Sequence, residues 1–218
     1  MNSRSTARRP RSTPTSRRDQ KRVPVLAIAA GALALVAIVG IAIAVANEEG
    51  DDPRPAHGPV FTEGAGLPRL EGGADAAIGT TIPRVEGISP DGEPVVLKAG
   101  EPMLVAFVAH WCPHCQAELP ILVDLAEAGA FEGVRTVAVL TDSRAGAPNY
   151  PPAAWLDDEG WTGEVLLDDR DNKAAAAFGV SGYPFLVAVD AAGNVVERTS
   201  GELPAADVAA LAEAARGS

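Results

Sequence analysis

Cysteine and aromatic residues are scarce in this 218-residue chain, which has two cysteines and 5% aromatic residues. With so few aromatic side chains, composition says little about the fold, and local apolar patterns must carry the assignment. Both cysteines, Cys112 and Cys115, stand in one stretch, HWCPHC, at residues 110–115. A bridge between them would close so small a ring that it restrains the unfolded chain very little. The pair is therefore not expected to be a structural disulfide.

Histidine is also rare, with three in the chain, and two of them lie in the same stretch. Together with Cys112 and Cys115, His110 and His114 supply four atoms of the kind that zinc accepts. One contiguous run of six residues can hardly arrange four ligands tetrahedrally while it also turns from strand to helix, so no metal site of this kind is expected. A transient copper site that uses the two thiolates, which suit Cu(I), stays open as an alternative.

Positive charge is concentrated at the start of the chain. Residues 1–22 hold eight Arg and Lys residues against one Asp, a net charge of +7, so residues 23–218 carry −18 and the whole chain −11. The basic block has no interleaved aromatic residues and the rest of the chain is acidic. No nucleic-acid partner is therefore expected.

Residues 23–46, VPVLAIAAGALALVAIVGIAIAVA, contain no charged or hydrogen-bonding side chain over 24 positions. At ~1.5 Å per residue this run can cross a hydrocarbon layer of ~30 Å, which predicts a transmembrane helix in a lipid bilayer. A cleaved signal peptide is the alternative, because Ala44, Val45 and Ala46 resemble a cleavage site, but signal cores usually span only ~7–15 residues. The positive-inside rule places residues 1–22 in the cytoplasm as a basic tail and the rest of the chain outside, as in a single-pass protein of the cell membrane.

Residues 47–75 hold six glycines and four prolines among 29 positions and have few apolar side chains. This composition is typical of a flexible coil rather than of a packed unit. The segment is therefore predicted to be a flexible linker, spanning roughly 30 Å on average, that ends at a folded domain over residues 76–218.

That domain alternates short apolar runs with helical patterns. Buried strands are predicted at residues 103–110, 136–142 and 164–169, hairpins around 89–97 and 185–201, and helices at 115–130, from 152, at 171–179 and at 202–217. Strands that alternate with crossover helices imply an α/β domain with a mixed sheet covered by helices on both sides.

The two cysteines stand where a predicted buried strand gives way to a helix. This places Cys112 at the helix N-terminus, where unpaired N–H groups and the positive end of the helix dipole favour its thiolate. Cys112 is therefore the predicted nucleophile, and Cys115, one turn inside, is the predicted resolving thiol that displaces the bound substrate. The disulfide between them carries the two electrons, so no bound cofactor is required.

The histidines next to these cysteines receive different predicted roles. His114, between the cysteines, can offer an N–H or a positive charge to the sulfur of Cys112. Either would stabilise the reduced form and make the disulfide a stronger oxidant. His110, at the end of the strand, is expected to be structural.

Longer stretches around this motif resemble the thioredoxin superfamily. In FVAHWCPHCQAELPIL, the tryptophan before the first cysteine, Trp111, and the proline five residues after the second, Pro120, both match that family. The stretch AFGVSGYPFLVAVDAAGNVVERTSG resembles the surroundings of the family's cis-proline, which identifies Tyr183-Pro184 as the cis bond. The resemblance covers residues 76–218 and implies a thioredoxin-like fold.

The same resemblance implies a substrate-binding surface. The peptide bond before Pro184 would present the Tyr183 backbone to an extended peptide, which pairs with it before sulfur exchange. Trp111 and Tyr183 would form apolar walls of the groove, with core packing as the alternative for both. Pro113 is assigned to the same surface.

Within the superfamily, the N-terminal hairpin, the helical insertion at residues 150–160 and the string WCPxCxxELP are most similar to membrane-anchored TlpA/ResA-type proteins. This resemblance implies an extracytoplasmic thiol–disulfide oxidoreductase whose partners are exported protein thiols or disulfides and a membrane redox partner. Several such proteins are reductants for cytochrome c maturation, whereas the dipeptide Pro113-His114 is the one associated with DsbA. The redox direction therefore stays open.

A carboxylate completes the predicted site. Thioredoxin has a buried aspartate six residues before its first cysteine, and this chain has Ala106 there. The active-site acid of TlpA/ResA-type proteins corresponds to Glu118, one turn beyond Cys115. If Glu118 is buried, desolvation would raise its pKa into a range useful for a general base that accepts the proton of the resolving thiol. A solvated helix carboxylate is the alternative.

Overall fold

The computed structural model describes residues 52–217, which form one α/β domain. The tail at residues 1–22 and the membrane span at residues 23–46, both predicted above, lie outside the described residues. Within residues 52–217, no helix is both long and apolar enough to span a bilayer. The elements in chain order are β1 Phe61–Glu63, β2 Arg84–Ile88, β3 Pro94–Leu97, β4 Met103–Val108, α1 Pro113–Glu127, β5 Arg135–Leu140, α2 Pro152–Asp158, β6 Glu164–Leu167, α3 Lys173–Ala177, β7 Phe185–Val189, β8 Val195–Ser200 and α4 Ala205–Gly217.

A mixed five-stranded sheet forms the centre of the domain, in the order β6-β5-β4-β7-β8. Strand β4 is parallel to β5 and antiparallel to β7, and all six of its residues are buried. Successive side chains of a strand point to opposite faces. Leu104 therefore packs into one apolar cluster and Met103 into another. The predicted mixed sheet is confirmed.

Helices cover both faces of this sheet, as the sequence predicts. One cluster contains Leu119 and Leu122 of α1 together with Val208 and Leu211 of α4. The other contains Phe178, the residue after α3, and side chains from β2 and β3. Strands β1, β2 and β3 form a separate antiparallel sheet, of which the hairpin between β2 and β3 was predicted.

The predicted helix at residues 115–130 is displaced by a few residues, and both ends have a local cause. It begins at Pro113, because proline at the first helical position has the required φ and lacks only an N–H that would be unpaired anyway. It ends at Glu127, because Gly129 adopts a φ of +78°. The N–H of Ala130 then donates to the carbonyl of Leu125, which closes a Schellman motif.

The flexible linker predicted for residues 47–75 is wrong for residues 52–75, which pack on the domain. Strand β1 pairs with β2, and the N–H of Gly58 donates to the carbonyl of Asp168 at 3.1 Å. Leu67 is buried, and its N–H donates to the carbonyl of Ala177 at 2.8 Å. Backbone hydrogen bonds hold this segment, and a composition rich in glycine and proline does not exclude them.

A buried ion pair fixes the end of the same segment. The Arg198 side chain on β8 is fully buried, and its Nε donates to Asp75 at 2.8 Å. Its Nη1 donates to the carbonyls of Pro68 and Phe178 at 2.9 and 2.8 Å. The hydrogen bonds from Arg198 hold the pKa of the Asp75 carboxyl below its ordinary value of 3.8.

We expect Asp75→Ala to lower the free energy of unfolding by about 3–5 kcal/mol, because it leaves the buried Arg198 charge without its carboxylate. Urea unfolding of the full chain in detergent micelles measures this at pH 7, with the exposed Asp91→Ala as the control that stays within about 0.5 kcal/mol. Since the folded pKa of Asp75 is depressed, its contribution is present above pH 3.8 and is lost as the pH falls further. A loss below 1 kcal/mol at pH 7 contradicts the assignment.

Candidate active site

The loop between β4 and α1 holds the first cysteine at the start of a helix. The N–H of Cys112 donates to the carbonyl of Ala109 at 2.9 Å, and α1 begins at the next residue, Pro113. The predicted position of Cys112 is therefore confirmed. Its sulfur makes no capping hydrogen bond to the first turn of α1, so the predicted contact with free N–H groups is not seen, and the helix dipole acts on it without such a bond.

The two thiols differ in exposure and surroundings. Cys112 is 7% exposed and Cys115 is 0% exposed. The Cys115 sulfur accepts a hydrogen bond from the N–H of Ala109 at 3.4 Å and lies within hydrogen-bonding reach of Cys112. Burial raises the pKa of Cys115 far above its ordinary value, and the nearby charges of Cys112 and Glu118 raise it further. Cys115 is thus held as a neutral thiol that needs a base before it can attack.

Glu118 is a carboxylate that can serve as this base. It is 0% exposed, which excludes the alternative of a solvated helix carboxylate. Its Oε2 accepts a hydrogen bond from the N–H of Leu203 at 2.9 Å, whereas Oε1 has no partner among the described residues. Burial raises the pKa of Glu118, the bond from Leu203 lowers it, and the charge of Glu202 raises it. At the position of the thioredoxin aspartate, Ala106 is buried in β4 and offers no carboxylate.

Tyr183, one of the predicted substrate-binding residues, lies beside Cys112. The bond between Tyr183 and Pro184 is cis, as predicted, and the carbonyl of Tyr183 lies 3.7 Å from the Cys112 sulfur. The rings of Trp111 and Tyr183 meet edge to face, with centroids 6.4 Å apart, and both side chains are half-buried. Pro113 is exposed. The structure therefore brings Tyr183 and the ring of Trp111 together beside Cys112.

A small cavity of about 170 Å³ opens beside this groove. Its wall includes Tyr183 and the three residues before it in the chain. The guanidinium of Arg69 forms another part of the wall and donates to the carbonyls of Val180 and Ser181 at 2.9 Å each. The segment that contains Arg69 thereby buttresses the backbone that leads into the cis bond.

His114 has a different partner from the one predicted. The side chain is 68% exposed, and its Nδ1 contacts the carboxylate of Glu202, in the connection between β8 and α4. The sequence assigned an N–H or a charge of His114 to the sulfur of Cys112. In the structure, Nδ1 is engaged by a carboxylate, so that any effect on Cys112 depends on the pair rather than on His114 alone.

His110 is fully buried and takes the structural role that was predicted for it. Its Nε2 accepts a hydrogen bond from the N–H of Arg144 at 3.0 Å, so the ring proton is on Nδ1, which donates to the carbonyl of Pro148 at 2.7 Å. Burial lowers the pKa of His110, which keeps it neutral. This histidine therefore ties the loop after β5 to the cysteine motif.

The same loop supplies two residues that the sequence did not reveal. The guanidinium of Arg144 lies over the ring of Trp111, 3.9 Å from its centroid, and also pairs with the carboxylate of Asp142. The indole N–H of Trp111 donates to the carbonyl of Asp142 at 2.8 Å. No spacing rule could find Arg144 or Glu202, because they come from loops 29 and 87 residues beyond Cys115. Pairs of this kind are set by tertiary packing.

Among residues 52–217, no three side chains of His, Cys, Asp or Glu are grouped as metal ligands. A slightly exposed thiol at a helix start, a fully buried thiol one turn later and a buried carboxylate on the same helix define a thiol–disulfide oxidoreductase of the thioredoxin superfamily.

Comparison with known proteins agrees with this class. A model of the redoxin family, described as "Redoxin", matches residues 77–214, and the chain belongs to that family. The thiol:disulfide interchange protein DsbE of Escherichia coli (strain K12) is 31% identical over 179 residues, covering 76% of this chain and 83% of DsbE. DsbE of Tatumella citrea is 33% identical over 136 residues, covering 60% of this chain and 69% of that protein.

A solved structure shows the same fold. The crystal structure of a thiol:disulfide interchange protein of the thioredoxin family from Chlorobium tepidum TLS has a TM-score of 0.53 and 27% identity. It covers 65% of this chain and 99% of the chain from Chlorobium tepidum. The resemblance to the thioredoxin superfamily is thereby confirmed.

Proposed function

We propose that this protein is an extracytoplasmic thiol–disulfide oxidoreductase that exchanges disulfides with exported proteins through Cys112 and Cys115. The observation that carries the proposal is the contrast between the two thiols: Cys112 is 7% exposed, whereas Cys115 is fully buried beside a buried carboxylate. This contrast separates the roles of capture and release. Thiol–disulfide exchange needs both in sequence.

In the reducing direction, the thiolate of Cys112 attacks a substrate disulfide. An S–S bond forms between Cys112 and the substrate, and the second substrate sulfur leaves as a thiolate that takes up a proton. Cys115 then loses its proton to Glu118 and attacks the sulfur of Cys112. The mixed disulfide breaks, the first substrate sulfur leaves, and the protein is left oxidised after transfer of two electrons. The oxidising direction is the reverse of these steps.

Glu118 suits the proton transfer because one of its oxygens is already held and the other is not. The Leu203 N–H fixes Oε2, which leaves Oε1 for the proton of Cys115, directly or through one water. Burial raises the pKa of Glu118 and so makes it a stronger base than an exposed glutamate.

The substrate would lie in the groove formed by Trp111, Pro113 and Tyr183. The carbonyl of Tyr183 is close to Cys112, so an extended peptide that pairs with this backbone brings its sulfur to the nucleophile. Pro184 orients that backbone segment. The exposed face of Pro113 and the edge-to-face rings of Trp111 and Tyr183 supply apolar contact.

We further propose that residues 23–46 anchor the protein in the cell membrane, with residues 1–22 in the cytoplasm and the domain outside. The uncharged run and the Arg-rich flank support this topology. A second protein in the membrane would restore the redox state of the pair. For the redox direction, a reductant serving cytochrome c maturation is the second candidate, favoured by the carboxylate of Glu202 beside His114.

One experiment tests activity and location together. Intact cells expressing the full chain receive a peptide that carries a disulfide and cannot cross the membrane, with glutathione as the redox buffer. We expect exchange well above that of cells without the protein. Exchange that appears only after permeabilisation contradicts the location, and no exchange in either case contradicts the function.

A further inference from the structure

Residues 201–203, in the connection between β8 and α4, contact three parts of the active site. The N–H of Gly201 donates to the carbonyl of Pro184 at 2.9 Å. The carboxylate of Glu202 contacts Nδ1 of His114. The N–H of Leu203 donates to Glu118 at 2.9 Å. This short segment therefore joins the substrate side, the dipeptide between the cysteines and the buried carboxylate.

We propose that Glu202 is a positioning residue that sets the redox potential of the Cys112–Cys115 pair by holding the imidazole of His114 and opposing its charge. The inference rests on the proposed function and deepens it. It concerns how the pair is tuned, and not whether the pair exchanges disulfides.

The carboxylate of Glu202 adds a negative charge beside the dipeptide between the cysteines. If His114 is charged, Glu202 makes the contact neutral overall; if His114 is neutral, the contact is negative. For a given protonation state of the imidazole, the surroundings of Cys112 are therefore more negative than they would be with an uncharged residue at position 202. A negative environment disfavours the thiolate of the reduced form, so the disulfide is a weaker oxidant.

The backbone on both sides of Glu202 makes this arrangement specific. Gly201 and Leu203 are both anchored through their N–H groups, which leaves the side chain between them aimed at α1. The charge of Glu202 also reaches the buried carboxylate of the site, since it raises the pKa of Glu118. A carboxylate elsewhere on β8 lacks both the contact with His114 and the effect on the pKa of Glu118.

The expected shift in the equilibrium constant follows from the exposure of the two side chains, which is 68% for His114 and 44% for Glu202. Exposed ion pairs are weak and screened by salt. We expect Glu202→Gln to shift the equilibrium constant with glutathione about two- to fivefold toward the reduced protein, which corresponds to ~10–20 mV. The shift should shrink in 1 M salt.

The test measures that equilibrium constant at pH 6 on the full chain in detergent micelles. Glu202→Asp should keep the wild-type constant, because it keeps the charge. Glu197→Gln, an exposed carboxylate on β8, is the matched control and should stay within about 1.5-fold. In a His114→Ala background, Glu202→Gln should shift the constant less than it does with His114 present, because the imidazole that the carboxylate holds is gone.

The outcomes separate this inference from the function on which it rests. If the equilibrium constant of Glu202→Gln equals that of the wild type, or shifts toward the oxidised protein, the inference is overturned. The proposed function still stands in that case, provided that the wild-type protein exchanges disulfides. An equal shift with and without His114 also overturns it, since Glu202 then acts independently of the imidazole. A wild-type protein that exchanges no disulfide overturns the function instead.

Discussion

Cys112→Ser is expected to reduce disulfide exchange to the uncatalysed rate, whereas Cys115→Ser is expected to capture substrate and fail to release it. Cys112 is the accessible thiol, and a serine hydroxyl cannot form the mixed disulfide. With Cys115 replaced, Cys112 still attacks, but no second sulfur can displace the substrate. The two variants therefore fail at different steps.

A peptide that carries one disulfide distinguishes the two failures. After mixing with the full chain and acid quenching, mass measurement should find no adduct on Cys112→Ser and a stable adduct of one peptide half on Cys115→Ser. Serine at position 115 can still accept the hydrogen bond from the Ala109 N–H, so the fold should be retained, and thermal unfolding of both variants checks this. An adduct on the Cys112→Ser protein contradicts the assignment of the nucleophile.

The sequence was sufficient to predict the core of the fold and the position of the thiols. Strand β4 is a continuous apolar run, which is typical of a strand buried on both faces, and a change to helical spacing follows it directly. Both signals are local. The start of α1 at Pro113 follows from the same local chemistry, so Cys112 could be placed before any tertiary contact was known.

The burial of Glu118 was predicted only as one of two alternatives. A carboxylate on a helix that also carries Cys115 and Leu119 lies near an apolar face, but spacing alone does not say whether a neighbouring element covers it. Leu203 covers it in the structure, and that residue lies 85 positions further along the chain. Contacts between distant segments are set by how the elements pack.

The packing of residues 52–75 was missed for a related reason. Glycine and proline are common in flexible linkers, but they are equally common in extended segments held by backbone hydrogen bonds. Only Leu67 and a few other apolar residues indicate burial in that part of the sequence. Arg198 and Asp75 form their ion pair across 123 positions, and neither residue stands in a recognisable motif.

The two redox directions suggested by the sequence correspond to reduction potentials roughly 150 mV apart, from ~−270 mV for thioredoxin to ~−120 mV for DsbA. A tenfold change in the equilibrium constant of a dithiol pair corresponds to only ~30 mV, so several contacts must act together to separate the two directions. A positive charge near Cys112 favours the oxidant, and a carboxylate beside that charge opposes it. If Glu202 acts as inferred above, the dipeptide Pro113-His114 does not set the potential alone, because Glu202 lies against the imidazole.

Glu118→Gln is expected to slow the release of substrate from the mixed disulfide by about 100-fold or more, the usual effect of removing a general base. Glutamine keeps the shape of the side chain and an oxygen for the Leu203 N–H, but it cannot accept the proton of Cys115. Capture by Cys112 should change little, because that step does not use the buried carboxylate. Glu127→Gln, an exposed carboxylate on the same helix, is the matched control for a loss of charge.

The pH dependence of substrate release from the mixed disulfide should also identify Glu118 as the base. Since burial raises the pKa of Glu118 above 4.5, the wild-type rate should fall with acidification already above pH 4.5, where the carboxylate becomes protonated. Glu202 in the facing connection raises the pKa of Glu118, and the charge of Glu118 in turn raises the pKa of Cys115 on the same helix. In Glu118→Gln the plateau above this acidic limb should disappear, and the slow rate should rise with pH over the whole range, because it then depends on the ionisation of Cys115 alone.

Glu118→Gln should increase the stability of the protein at pH 7, although it slows the release of substrate. A carboxyl whose folded pKa is raised contributes stability below its unfolded value, 4.5, and that stability is lost as the pH rises through the folded value. At pH 7 wild type therefore carries the cost of a buried charge that Glu118→Gln lacks, and the variant should unfold at a higher urea concentration. Rapid-quench measurement of release and urea unfolding at pH 7 test both effects. A variant that releases substrate at the wild-type rate excludes Glu118 as the base, whatever its stability.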